Sequence, residues 1–213
     1  MTKATDKDPH AKTKADAPAA PPEPSAPAPA PTDKVPKRIW DPVAFARFAR
    51  SFLGNREATK RNDGTFVEAV HGEKVPPGKV GPAWCASLAM RLYEWFGCPY
   101  AAVQKSDPLP VNFWEGRSVK AHFEKMRELG AVLAPGELPE IGDHVYLLSG
   151  VGALVGGTQS HMNTVVAVYQ IGHRVEVECI DGNYGDATAL TRHDVSKVSG
   201  ISRPLRLGVI ARA

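Results

Sequence analysis

The sequence contains no hydrophobic run of transmembrane length, no Cys-x-x-Cys pair and no stretch of lysine and arginine interleaved with aromatics. The first absence predicts a chain without a membrane-spanning helix. The second leaves only three cysteines, Cys85, Cys98 and Cys179. So odd and sparse a set argues against a disulfide framework or a zinc site. The third, with a net charge of only +3, gives nucleic-acid binding no support, although a weakly basic surface still favours an anionic polymer. No apolar segment follows the charged N-terminus, so nothing resembles a signal peptide. The expectation is synthesis in the cytoplasm and, for any outside target, a route that needs no such signal. There is no internal repeat.

What is present divides in two. Residues 15–36 are mostly alanine and proline, with almost nothing large and apolar to bury. The composition predicts an extended, disordered tail over 1–38. The remainder, 39–213, suits one domain. Asp41-Pro42 is a helix start, an N-cap followed by proline at the first helical position. Phe45, Phe48, Ala49 and Phe52 then fall on one face as far as Gly54. Residues 55–82 read as loop with a short strand at 65–70. A second helix runs from Cys85 through Leu88, Leu92 and Phe96 to Gly97. A third covers 118–129, with Phe123, Met126 and Leu129 as its stripe. The period then changes: 143–149, 161–169, 174–180 and 205–211 read as strands, with Gly172-His173 as a tight hairpin. Helices first and an antiparallel sheet afterwards define an α+β domain.

The chemistry centres on Cys85. In Gly81-Pro82-Ala83-Trp84-Cys85 a turn runs straight into a helix, placing a thiol on the first turn. There the unpaired backbone N–H groups and the macrodipole stabilise a thiolate. His161 opens a strand after the glycine-rich stretch 150–160. Asp181 and Asn183 follow at the end of another strand. A thiol, then an imidazole, then a carboxylate or amide suggests a nucleophile, its base and the group that orients the base. The Cys85 N–H is the natural oxyanion donor. Asp181 and Asn183 compete for the third role, since two residues apart on a regular strand share a face.

Four segments resemble the CHAP and NlpC/P60 families of papain-like cysteine hydrolases. Trp84-Cys85-Ala86 and its helix resemble their nucleophile segment. Glu140-Ile141-Gly142-Asp143 resembles the Pro-Gly-Asp turn that opens their first core strand, with Ile141 where proline is usual. Ser160-His161-Met162 resembles their Gly-His-Val motif, and Asp181-Gly182-Asn183-Tyr184 their Glu-x-Asn-Trp segment. The resemblance covers 81 to the C-terminus. It implies a papain-like α+β fold in which a Cys-bearing helix packs on a small antiparallel sheet carrying the histidine. It further implies hydrolysis of amide bonds in peptidoglycan stem peptides, with Cys85, His161 and Asp181 or Asn183 as catalytic residues and no cofactor. Action in the periplasm or outside the cell would follow non-Sec export or lysis, as for a phage lysis enzyme or a secreted antibacterial effector. Such an effector needs a neutralising partner protein in the producing cell.

Other residues read more plainly. Cys98 and Cys179 are packing residues, and His144 is structural. His10 falls in the tail, and His71, His122, His173 and His193 lie in polar contexts that predict solvated surface. Trp84 and Trp114 fit either a core or a substrate groove. Asp181–Asp186 is a poor calcium loop, since Arg192 stands where a bidentate glutamate is needed. Two rival functions remain: the same machinery acting on a protein as protease, deamidase or acyltransferase, and a degenerate fold serving as a binding module.

Overall fold

A computed structural model of the chain describes residues 40–97, 119–147 and 161–207. The tail over 1–38, Cys98, Trp114 and the 150–160 stretch lie outside the described residues. What is described is α+β: helices α1 (Pro42–Arg50), α2 (Thr65–His71), α3 (Cys85–Phe96) and α4 (Val119–Glu128), then strands β1 (His144–Leu147), β2 (His161–Ile171), β3 (Arg174–Tyr184), β4 (Ala187–Asp194) and β5 (Gly200–Ser202). Among the described residues no helix is long and apolar enough to cross a membrane.

The helices start and stop where local chemistry dictates. Asp41 caps α1, its carboxylate accepting from the Val43 and Ala44 N–H groups at 2.9 and 3.0 Å. Phe45 and Ala49 are buried below it. The 65–70 segment, expected as a strand, is instead the core of α2. Phe66, Val67 and Val70 are its buried residues, a helical spacing that tertiary packing rewards over the β preference of Thr, Phe and Val. Gly72 closes α2 and Gly97 closes α3, at φ 73 and 76, the left-handed conformation glycine adopts most readily. On α4 the expected stripe shifts: Met126 is fully buried, but Leu129 is 39% exposed, while Val119 and His122 turn inward.

The sheet has the order β4-β3-β2-β1-β5, antiparallel throughout. The two long central strands form a hairpin in which Ile171 pairs Arg174 across Gly172-His173. β3 runs on to Tyr184, beyond its expected end at 180. β4 and β5 have no counterpart among the strands the sequence predicts: β4 is a largely polar edge strand and β5 has three residues. Leu205, expected in a strand, sits in a 3₁₀ turn (Pro204–Leu207); Pro204 supplies no N–H to a ladder, and 208–213 lie outside the described residues.

Both faces of the sheet are covered. On one, Leu88 and Leu92 of α3 and Phe45 of α1 pack on Val166 and Ile180. On the other, Val145, Val165, Val177, Cys179 and Ile201 form a second cluster with Leu133, Val195 and Val198. The turn into β1 is locked at both ends. Arg203 donates to both oxygens of the fully buried Asp143, at 3.1 and 3.0 Å, and the Tyr93 hydroxyl donates to the Gly142 carbonyl. Only glycine fits at 142, where φ is +96 and a Cβ would lie 2.7 Å from Trp40 and from the Tyr93 hydroxyl. Two histidines expected at the surface are buried, His71 at 8% and His122 at 4% exposure. His122 lies one turn before Met126 on the inner side of α4, and its Nδ1 is 2.8 Å from the Tyr146 hydroxyl.

Candidate active site

α3 begins at Cys85 itself. Trp84 holds the N-cap position, and its side chain caps none of the helix N–H groups. The first amides of the helix therefore have no intrahelical acceptor and none from the cap residue. Trp84 is fully buried, which resolves its two readings in favour of core. Its indole N–H donates to Glu57 Oε1 at 3.0 Å, and Glu57 Oε2 accepts from the Asn62 N–H at 2.8 Å. Asn62 in turn donates from Nδ2 to the Gly81 carbonyl at 2.9 Å. His71 Nε2 lies 3.1 Å from the Pro82 carbonyl. The segment that delivers Cys85 is thus fixed from three sides. Glu57 and Asn62 carry no sequence signal that would have paired them with Trp84.

His161 opens β2, and Asp181 lies near the end of the neighbouring β3. The His161 Nε2 to Asp181 Oδ1 distance is 2.5 Å. A carboxylate only accepts, so Nε2 carries the hydrogen. The Cys85 side chain lies close enough to raise the basicity of the imidazole, and with Nε2 engaged by Asp181 it is Nδ1 that is left for a second partner. Burial alone would lower the basicity of His161. The hydrogen bond to Asp181 and the neighbouring Cys85, together with the charges on both, outweigh burial and raise its pKa from 6.5 to about 10. Cys85 is 5% and Asp181 1% exposed. Cys85, His161 and Asp181 are therefore one cluster, built from a helix start and two adjacent strands, with the His161–Asp181 hydrogen bond at its centre.

Asn183 is placed differently. It adopts φ 65, and its amide donates to Asn62 Oδ1 at 3.1 Å. The alternation that would set it beside Asp181 breaks, because the β3–β4 register shifts between Asp181 and Tyr184. Of the two residues that competed to orient the imidazole, Asp181 holds it and Asn183 ties the strand end to the Asn62 loop.

Gly182 lies between them. A Cβ there would stand 2.9 Å from Leu88 Cδ2 and 3.0 Å from Trp84 Cε3, so its bare backbone is what lets β3 approach the first turns of α3. Behind Asp181, half-buried His193 accepts at Nε2 from the Asn163 amide at 3.1 Å and lies 2.9 Å from Thr191 Oγ1. It was expected to be solvated. Burial lowers its basicity, with the Asp181 charge opposing.

Cys179 is fully buried in the far-face cluster, as expected of a packing residue. His144 is likewise fully buried, with its basicity strongly lowered by burial and by His122. Among the described residues no group of three or more His, Cys, Asp or Glu side chains is arranged to hold a metal ion. A cavity of about 770 Å³ lies at the hairpin end of the sheet, lined by Leu133, Leu138, Ile171 and Val195. None of the clustered residues reaches it. No protein-family model matches this chain, and no curated protein or solved structure matches it.

Proposed function

We propose that this protein is a papain-like cysteine hydrolase that cleaves amide bonds in peptidoglycan stem peptides. The observation that carries the reading is the cluster itself: a thiol at a helix start beside an imidazole whose Nε2 is held by a buried carboxylate. A thiolate–imidazolium pair is the reactive form of such a thiol.

In this reading the Cys85 thiolate attacks the carbonyl carbon and its electron pair passes to the carbonyl oxygen. The Cys85 N–H, at the positive end of α3, stabilises that oxyanion. His161 then gives its Nδ1 proton to the departing amine as the tetrahedral species collapses to a thioester. Water loses a proton to the same nitrogen and attacks the thioester, releasing the acid and restoring the thiol. Asp181 keeps the ring in the productive tautomer throughout. Asn183 supports the strand end and does not touch the imidazole.

The substrate class rests on the resemblance of the four segments to CHAP and NlpC/P60 hydrolases and is favoured by the weakly basic chain, since stem peptides belong to an anionic polymer. In this reading the protein acts on the wall as a phage-type lysis enzyme or a secreted antibacterial effector. In the second case a neutralising partner protein would cover the site in the producing cell.

The test is to digest purified peptidoglycan with the 213-residue chain and analyse the products by mass spectrometry, with Cys85→Ala as control. New termini within stem peptides, absent with Cys85→Ala, are expected. No change in the muropeptides, with cleavage or deamidation of a protein instead, would transfer the same machinery to a protein substrate. Equal digestion by Cys85→Ala would remove the thiol from the mechanism.

A further inference from the structure

Tyr184 is the exposed aromatic nearest to Asp181 along the chain, three residues beyond it and 60% accessible. On a regularly alternating strand those two side chains would face opposite sides of the sheet. β3 is not regular here. Asp181 pairs Ala189 and Tyr184 pairs Ala187, so Gly182 and Asn183 together oppose the single residue Thr188. That extra residue is a β-bulge, and it returns Tyr184 to the face that carries Asp181. The bulge includes Asn183 at φ 65, a conformation unfavourable for most side chains and least so for asparagine. It is held there by Asn62, itself at φ 54. Strained backbone of this kind persists where its surroundings over-determine it, and bulges beside reactive centres commonly re-aim a side chain.

The row continues across the sheet. Ala187 pairs Tyr184 on one side and Arg56, through an isolated antiparallel bridge, on the other. Residues directly opposite share a face, and neighbouring strands lie about 4.8 Å apart. Tyr184 and Arg56 therefore flank a methyl-sized floor, with roughly 10 Å between their backbones. Arg56 is exposed, and among the described residues it forms no ion pair. The adjacent acid leaves it free, since both Glu57 oxygens are engaged by Trp84 and Asn62. An unpaired guanidinium takes a carboxylate in two-pronged fashion, and an aromatic face covers carbon chains and sugar rings.

We propose that Tyr184, Ala187 and Arg56 form a substrate subsite beside the Cys85–His161–Asp181 cluster, taking a carboxylate-bearing part of the substrate. Arg56 binds the carboxylate, and the Tyr184 ring covers the carbons next to it. The choice of a peptide ligand rests on the amide-hydrolase reading; the anionic preference rests on Arg56.

Binding and turnover separate the two. Cys85→Ala protein is titrated calorimetrically with a muropeptide carrying free carboxylates, and with the same muropeptide after conversion of those carboxylates to primary amides. The acid form is expected to bind about tenfold or more tightly than the amide. Adding Arg56→Ala should erase that preference while leaving the amide form's affinity unchanged. Tyr184→Ala should weaken both forms several-fold, and Tyr184→Phe neither. Equal affinity for acid and amide, a preference that survives Arg56→Ala, or absence of binding overturns the subsite. Arg56-dependent binding without any hydrolysis by the wild-type chain would leave the subsite standing and remove the hydrolase reading.

Discussion

The Asp181 carboxylate, with 2% of its side chain exposed, holds His161 Nε2 at 2.5 Å. A buried acceptor so close fixes both the tautomer and the orientation of the ring, and it leaves Nδ1 as the nitrogen free for a second partner. Much of the behaviour expected of this protein follows from that pair.

Asp181→Asn should lower the turnover rate roughly 10³–10⁴-fold and move the alkaline limb of kcat/KM to lower pH. The same pair shapes stability. A His161 pKa raised from 6.5 to about 10 means that the folded chain binds this proton more tightly than the unfolded one. The stabilisation is full below 6.5 and is lost as pH rises through about 10. Urea unfolding at pH 7 and 9.5 should therefore show a steeper loss for wild type than for Asp181→Asn; equal losses would contradict the pairing.

Gly182→Ala tests the approach of β3 to α3. The added methyl meets Leu88 and Trp84 at 2.9–3.1 Å, and overpacking of this sort destabilises by about 1–3 kcal/mol. Because Trp84 immediately precedes Cys85, activity should fall by more than the stability loss explains. Thermal unfolding and kcat measured on the same preparation check this. A variant with normal kcat would show that the contact does not govern the position of Cys85.

Glu57→Ala strands the indole N–H of fully buried Trp84, at a cost of about 1–3 kcal/mol. Glu57→Gln keeps one carbonyl oxygen for the indole. Its activity should lie between wild type and Glu57→Ala, with the change in kcat and not in KM. An unchanged kcat in Glu57→Ala would dismiss Glu57 as a positioning residue.

His122 predicts the acid limb of stability. Burial lowers its pKa from 6.5 to about 3, so the unfolded chain takes the proton first. Stability from the neutral ring is full above 6.5 and drains as pH falls toward 3, by about 1.4 kcal/mol per unit for one proton. His144 shifts in the same direction. Asp143 opposes them: burial raises its pKa from 3.8 to about 6 despite Arg203, which favours the fold as pH falls through that window. Two histidines against one aspartate leave a net loss in acid. His122→Gln should flatten the fall in urea midpoint between pH 7 and 4.5, and an unaltered slope would count against it.

The sequence made some of this legible because local chemistry decides it. Asp41-Pro42 and Gly97 mark helix ends by capping and backbone freedom, and the Cys85 helix needs no partner to be recognised. Other features depend on contacts that no local pattern encodes. Thr65 to Val70 has β-prone residues that pack as a helix. The edge strand β4 is too polar to announce itself. His122 looks solvated until α4 is laid against Tyr146. Asp181 and Asn183 are indistinguishable on a regular strand, and the bulge that separates them is fixed by Asn62, more than a hundred residues earlier in the chain.

That reliance on Asn62 and Gly182 has a further consequence. Cys85, His161 and Asp181 come from a helix and two strands that meet only when α3 has docked on the β2–β3 hairpin. An expanded intermediate with both elements formed but undocked would hold all three residues but not their cluster. The reactivity of the Cys85 thiol is therefore a gauge of whether the tertiary structure has closed.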